Sequence, residues 1–290
     1  MRLIVSVLLF FGMSLELLAQ SDTSSKRLQD VVIYANKFPT LSKNIVQRVV
    51  ALTDKALIQQ QANTADILTA SGQVFVQKSQ AGGGSPVIRG FEASRVLLMV
   101  DGVRMNSAIF RAGHLQNIIT VDNMILDRVE IIYGPSSTLY GSDALGGVVN
   151  LFTKQPQLNI SNLNTKKAPW KANGNLVYRY GNGQNENRQH FDINIANNKW
   201  AYLTSFTNSS FGDLRQGNNR SSTYPDFGKR LFFVTRENGV DIANDNAAQV
   251  NIQKVTGYTQ TDLLQKIMFK PTANVEHLLN IQLSNSSNIN

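Results

Sequence analysis

Cysteine is absent from this 290-residue chain. That removes disulfide frameworks, thiolate metal sites and cysteine nucleophiles together, and leaves the compartment open. Charge of one sign is never concentrated. The net charge is +8, yet Lys and Arg are scattered without a basic block or basic helix, so no nucleic-acid partner is expected. Long apolar runs are missing after the leader, so any insertion into a membrane has to use β-strands. Catalytic signatures are missing too: the sequence holds no G-x-S-x-G, no H-E-x-x-H, no G-x-x-x-x-G-K-[ST] and no G-x-G-x-x-G between a strand and a helix. A Ser/His/Asp set could be assembled only arbitrarily. No catalytic residue, metal site or resident cofactor is therefore assigned, and no enzymatic activity is expected.

What is present begins with that leader. Arg2 supplies a positive start, Leu3 to Leu18 is almost wholly apolar, and Ala19 stands before Gln20 and Ser21. Residues 1–20 read as a secretory signal peptide. The apolar run is short for a membrane span and Glu16 shortens it further. No Cys follows, which excludes a lipoprotein anchor. Residues 21–37 form a polar leader with one β-prone island, Asp30-Val31-Val32-Ile33-Tyr34-Ala35, before Lys37-Phe38-Pro39 breaks it.

Residues 38–155 alternate short apolar strands with glycine-dense turns. Strands are expected near Val46–Leu52, Val74–Val76, Val87–Arg89, Arg95–Val100, Val129–Tyr133 and Val148–Thr153, with Thr53 and Thr64 as N-caps of two short helices. Asp101-Gly102 makes a tight turn between paired strands. This pattern predicts a small α+β domain, followed by a polar linker over residues 156–172. From residue 173 the character changes. Phe191, Ile193 and Ile195 share one face of a strand, and Asp192 and Asn194 the other. Strands are predicted near 174–181, 188–196, 199–207, 258–270 and 276–286, joined by tight Asn197-Asn198, long Ser209–Gly257 and short Pro271–Val275 connections. Period-2 alternation, aromatics near strand ends, and short turns opposite long loops predict the start of an antiparallel transmembrane β-barrel. A plugged barrel of about 22 strands needs more chain than residues 173–290 supply. About five strands are expected here, and the chain is read as the N-terminal part of a longer protein.

Four motifs follow one another along the α+β region: Ile88-Arg89-Gly90-Phe91, Val100-Asp101-Gly102-Val103, Val129-Glu130-Ile131-Ile132-Tyr133-Gly134-Pro135, and Tyr140-Gly141-Ser142 through Gly146-Gly147-Val148-Val149-Asn150. In this order and spacing the chain resembles a TonB-dependent outer-membrane receptor, with residues 38–155 as its plug domain and residues 173–290 as its first barrel strands. The resemblance implies a Gram-negative outer-membrane location, with plug and N-terminus in the barrel lumen and periplasm. It implies import of a scarce nutrient (siderophore-iron, haem, cobalamin or oligosaccharide) into the periplasm. The implied partners are TonB with its inner-membrane energising complex, outer-membrane lipid, and the small-molecule ligand. A secreted soluble β-sandwich for binding or adhesion is the rival, and it would not need the plug motifs.

The resemblance also assigns roles, each beside a plainer reading. Asp30, Val31, Val32, Ile33, Tyr34 and Ala35 lie where the family carries its TonB box, and an extended β-branched segment suits strand addition to a partner's sheet edge. The plainer reading is the first strand of the plug. Arg89, Arg128 and Glu130 are candidates to latch plug to barrel, or else solvated charges. Arg111 and His114 are candidates to face the ligand, His114 as an axial haem ligand or as a polar residue that stabilises its loop. Asp213, Asp226, Glu237, Asp241 and Asp245 follow no calcium-cage spacing and read as loop charges.

Overall fold

The computed structural model describes residues 32–33, 40–41, 44–53, 55–78, 82–105, 116–159 and 169–287. The leader and the candidates Asp30, Val31, Tyr34, Ala35, Arg111 and His114 lie outside these residues. Two short strands come first, β1 (Val32–Ile33) and β2 (Thr40–Leu41), paired antiparallel.

A mixed five-stranded sheet follows, built from β3 (Val49–Leu52), β6 (Val96–Val100), β7 (Val103–Arg104), β8 (Leu126–Tyr133) and β9 (Gly147–Thr153), with β4 (Phe75–Gln77) and β5 (Ser85–Val87) in a separate hairpin. The order is β3-β8-β9-β6-β7, and β6 runs parallel to β9. Val-Leu-Leu-Met-Val on β6 is buried at every position, the mark of a strand covered on both faces. Asp101 and Gly102 both take positive φ (47° and 84°) and close the β6–β7 hairpin, as a two-residue turn with a right-handed strand twist requires. Gly147 has no alternative at its position, because a Cβ there would meet Ile132 O at 2.5 Å.

Two short helices, α1 (Lys55–Gln60) and α2 (Thr64–Ala70), cover one face of the sheet. The cap of α2 is one residue earlier than expected. Asn63 Oδ1 accepts from Asp66 N at 3.0 Å, while Thr64 is inside the helix and its hydroxyl donates to Val121 O. Either side chain can cap; the buried Val121 carbonyl claims the threonine. Ile67, Leu68, Leu98, Ile131 and Val149 form the centre of the core.

The remaining strands form an antiparallel meander: β10 (Lys171–Gly181), β11 (Glu186–Ala196), β12 (Trp200–Phe211), β17 (Tyr258–Thr272) and β18 (Val275–Ser286). The expected alternation is present, and these strands run a few residues longer than the apolar pattern alone marks. One face carries the row Leu176–Phe191–Phe206–Leu263–Leu283, aligned strand by strand. Below it, Trp170, Tyr202, Trp200, Phe269 and His277 stack in sequence along the tight-turn end. The connection from 212 to 257 is not structureless. It holds a two-residue pairing of β13 (Leu214–Arg215) with β16 (Ile252–Gln253), and a hairpin of β14 (Phe232–Glu237) and β15 (Val240–Asp245). Asn238 and Gly239 at its tip have φ 51° and 83°, the hairpin turn that Asn-Gly favours. Among the described residues no helix is long and apolar enough to cross a membrane.

Candidate functional site between the two sheets

The other face of the meander is turned to the mixed sheet, and its composition is inverted. Its buried positions include Glu186, Arg188, His190, Asp192, Thr207, Asp262 and Lys266. Burying such groups is tolerable only where each finds a partner, and the partners lie largely across the seam.

At the long-connection end, Arg188 Nη1 donates to Asn123 Oδ1 at 2.8 Å and its Nη2 donates to Ala62 O. Arg179, its cross-strand neighbour, donates to Gln60 O and to Gln61 O, the latter at 2.9 Å. Glu186 lies between the two guanidiniums, 3.1 Å from Arg179 and 3.7 Å from Arg188, which offsets their mutual repulsion. One rung further along, Thr207 donates to Asp122 Oδ2, and His190 places Nδ1 2.7 Å from Thr207 Oγ1 and Nε2 3.1 Å from Asp192 Oδ2. Gln260 Nε2 donates to Ile119 O at 3.1 Å and to both oxygens of Asp262.

Toward the tight-turn end, Lys154 Nζ pairs with Asp192 Oδ2 at 2.7 Å, and Lys266 Nζ with Asp101 Oδ2 at 2.8 Å. Asp101 also accepts from Thr153 N, Thr153 Oγ1 and Asn280 Nδ2. The turn aspartate thus joins its own sheet to two strands of the meander. Apolar contact across the seam is sparse; Leu264 is the meander residue that enters the core of the mixed sheet. A cavity of about 730 Å³ opens at this end, lined by Arg104, Arg128, Asn150, Phe152, Glu276 and Leu278 among others.

Arg89 occupies the tip of a two-residue turn. Ile88 and Phe91 exchange both backbone hydrogen bonds, and Arg89 (φ 51°) and Gly90 (φ 84°) turn the chain between them. A left-handed arginine costs about 1 kcal/mol or more. Its exposed guanidinium lies 5.5 Å from the Tyr133 ring centre and that of Arg48 5.0 Å, and Tyr133 Oη donates to Gln73 O at 2.6 Å. Burial raises the Tyr133 hydroxyl above its ordinary value, and the two arginines oppose that rise.

Arg128 and Glu130 meet each other: Nε to Oε1 is 2.9 Å, with Arg128 3.8 Å over the Phe152 ring. Glu130 is fully buried, and Arg128 lines the same cavity as Glu276. The loop carboxylates serve their own loop. Asp213 accepts from Thr256 N and Gly257 N, Asp226 pairs with Lys229, and Asp245 accepts from Ala247 N. Among the described residues no group of three or more His, Cys, Asp or Glu is placed to hold a metal ion.

Among the seam residues on β10 to β12 and β17, sequence alternation places Asp192 opposite the apolar face and assigns none of them a role. A polar residue at alternate strand positions reads as solvent-facing, and only an apolar opposite face hints that the polar side is the enclosed one.

The family described as TonB-dependent Receptor Plug Domain matches residues 42–148. Among curated relatives, the vitamin B12 transporter BtuB of Vibrio vulnificus strain CMCP6 is 39% identical over 127 residues, which is 42% of this chain and 20% of that protein. Its counterpart in strain YJ016 is 30% identical over 158 residues, 50% of this chain and 25% of that protein. The chain thus spans a quarter or less of the curated relatives it matches. Among solved structures, the copper transporter OprC superposes with a TM-score of 0.61 at 13% identity, covering 82% of this chain and 30% of that one. The pyoverdine outer membrane receptor FpvA of Pseudomonas aeruginosa PAO1 gives 0.59 at 14%, covering 88% and 30%. At such identities these structures establish the fold. The plug-domain match over residues 42–148, the curated relatives and the shared fold make this chain similar to TonB-dependent outer-membrane receptors.

Proposed function

We propose that this chain forms the plug and adjoining wall of a TonB-energised importer that carries a scarce chelate or corrinoid across the outer membrane into the periplasm. One observation carries the reading. The seam between plug and wall is stitched by hydrogen bonds and ion pairs, with little apolar contact. Polar interfaces of this kind separate and re-form, because water can replace each lost partner. A plug that only sealed a pore would be better fixed by apolar packing.

In this reading the row from Leu176 to Leu283 faces lipid, and the stacked aromatics from Trp170 to His277 lie at the periplasmic membrane interface. The connection from 212 to 257 then lies outside the cell. Asp30 to Ala35 is the TonB contact. Val32–Ile33 already pairs with Thr40–Leu41, which supports a segment able to add to a sheet edge. Arg89, held at a strained turn tip beside Arg48, latches the plug to wall carboxylates. Arg128 and Glu130 act as a pair on the cavity side, and Arg111 and His114 face the ligand. Similarity to proteins named vitamin B12 transporters supports cobalamin as the first ligand to test; ferric siderophores and haem follow.

The experiment is uptake of labelled cobalamin, ferric siderophore and haem by cells expressing the full-length receptor, with and without TonB. One ligand is expected to accumulate only when TonB and the proton gradient are intact. Val32→Pro is expected to abolish that accumulation while surface binding persists, since proline removes the backbone donor that strand addition needs. Accumulation independent of TonB refutes the reading, and unchanged uptake by Val32→Pro removes Asp30–Ala35 as the contact.

A further inference from the structure

The seam is densest where the chain passes from α1 to α2. A helix leaves its last carbonyls without intrahelical donors, and cations at that end are favourable. Here the donors come from elsewhere in the fold. Asn123 Nδ2 donates to Ile58 O at 2.8 Å and to Gln61 O at 2.9 Å. Arg179 takes Gln60 O and Gln61 O, and Arg188 takes Ala62 O while also holding Asn123 Oδ1. Four carbonyls within five residues, Ile58 to Ala62, are thus gripped by side chains, and two of the three gripping residues stand on the wall.

The position of this grip along the chain matters. Toward the N-terminus lie β3 and α1. β3 is an edge strand of the plug sheet, paired on one side only, and its residues are incompletely buried. Past the grip lie α2 and the fully buried core residues Ile67 and Leu68. Tension entering at the N-terminus would peel β3 from β8 one ladder pair at a time and then reach α1. It would next meet Arg179 and Arg188.

We propose that Arg179 and Arg188 are a force stop: wall residues that hold the backbone of 60–62 so that traction from the N-terminus unravels β3 and α1 and leaves α2 and the core folded. The proposal rests on the TonB-energised import proposed above, with the added premise that TonB acts by traction on the N-terminal segment, and goes beyond it, because it names where the unravelling ends. Both arginines are positioning residues. They touch backbone, and they act by fixing a boundary.

Residues 1–290 hold no cysteine, and with any cysteine elsewhere in the full-length receptor replaced by serine, single cysteines report cleanly on exposure. The test uses the full-length receptor in living cells, carrying Val50→Cys (before the stop) or Leu68→Cys (after it), treated with a maleimide that reaches the periplasm during transport. Val50→Cys is expected to label in a TonB-dependent manner, and Leu68→Cys to stay protected. Adding Arg179→Ala and Arg188→Ala is expected to raise Leu68→Cys labelling about tenfold or more, the population change that one lost charge-assisted hydrogen bond brings. That increase must require TonB.

Leu68→Cys labelling as fast as Val50→Cys in the parent refutes the stop, as does unchanged protection when both arginines are removed. Increased Leu68→Cys labelling in cells without TonB shows a merely structural role and also refutes it. Absence of TonB-dependent labelling at Val50→Cys overturns the traction reading itself, and the stop with it. The Arg179→Lys, Arg188→Lys receptor, which keeps charge but loses the planar fork that spans two carbonyls, covers the case in which the alanine receptor fails to assemble; it is expected to show a smaller, still TonB-dependent increase.

Discussion

β6 is buried on both faces and β11 on one, and they obey opposite rules. On β6 every residue is apolar and every one is buried. On β11, His190 is 1% exposed and Arg188 3%, while Phe191 between His190 and Asp192 is 42% exposed. The plug excludes water by close packing of hydrocarbon. The wall turns its hydrocarbon outward and keeps its charges for the plug. The difference follows from what each face meets: a core has no polar partner to offer, whereas the plug's edge presents carbonyls, carboxylates and amides in register. Substitutions of one chemical type should therefore have opposite consequences in the two regions.

The largest effect is expected from an acid in the plug core. Leu98→Asp places a carboxylate where only apolar side chains surround it, at a cost of about 4 kcal/mol or more. The full-length receptor should fail to assemble, seen as loss of the folded band in unboiled gels. Leu203→Asp breaks the symmetry of that result. Leu203 is equally buried but stands opposite Lys266 in the strand register, so a carboxylate there gains a cation and a folded receptor is expected. Equal damage at both sites would mean that the inward face of the wall is an ordinary core.

A charge on the outward face tests the other half. Leu263→Arg, in the middle of the apolar row, should destabilise the receptor in lipid bilayers by about 2–4 kcal/mol, read from denaturant-induced refolding titrations. The neighbouring native cation Lys266 is fully buried on the opposite face beside Asp101. If Leu263→Arg is silent, the row does not face lipid.

Lys266→Met removes one arm of that buried pair. Asp101 keeps Thr153 and Asn280 as donors, so the loss should be about 2–3 kcal/mol, below that of an acid left wholly unpaired. A cycle with Asp101→Asn should return a coupling energy of about 1–2 kcal/mol. A coupling near zero would make the seam's ion pairs incidental.

Much of this architecture was legible in the sequence, and the parts that were not share a cause. The wall strands are visible because outward-facing rows such as Phe191–Ile193–Ile195 leave a period of two. The β6–β7 turn was visible because Asp-Gly has few other uses between apolar strands. The β14–β15 hairpin carries the equally strong Asn238-Gly239 signal, yet its flanking strands, Phe232–Glu237 and Val240–Asp245, lack clean alternation and read as loop. The α2 cap lies one residue before the expected Thr64 because Asn63 and Thr64 are both competent, and the choice is made by Val121, distant in sequence. The seam was the least legible feature. Arg179, Arg188 and Thr207 meet partners about 60 to 130 residues away, and nothing in local pattern separates a strand arginine that meets water from one that meets a carbonyl.

Tyr133 gives the smallest effect and the finest division between the two regions, because it is a plug residue treated as the wall treats its own. It is buried, yet it keeps a polar tip satisfied by Gln73 O and two arginines over its ring. Its folded-state pKa is raised above the ordinary 10.0, burial being the larger influence and Arg48 and Arg89 opposing it. A raised tyrosine keeps its proton in the folded state at a pH where the unfolded chain has begun to lose it. Its contribution to stability is therefore complete below about pH 10 and declines as pH rises through the folded value. Tyr133→Phe should cost about 1 kcal/mol at neutral pH, from the lost hydrogen bond to Gln73. It should also flatten the fall in stability that the parent shows above pH 10, measured as unfolding midpoints across an alkaline series. A fall of unchanged steepness would mean that other groups govern the alkaline limit, and that the hydroxyl is held by packing alone, as a core residue would be.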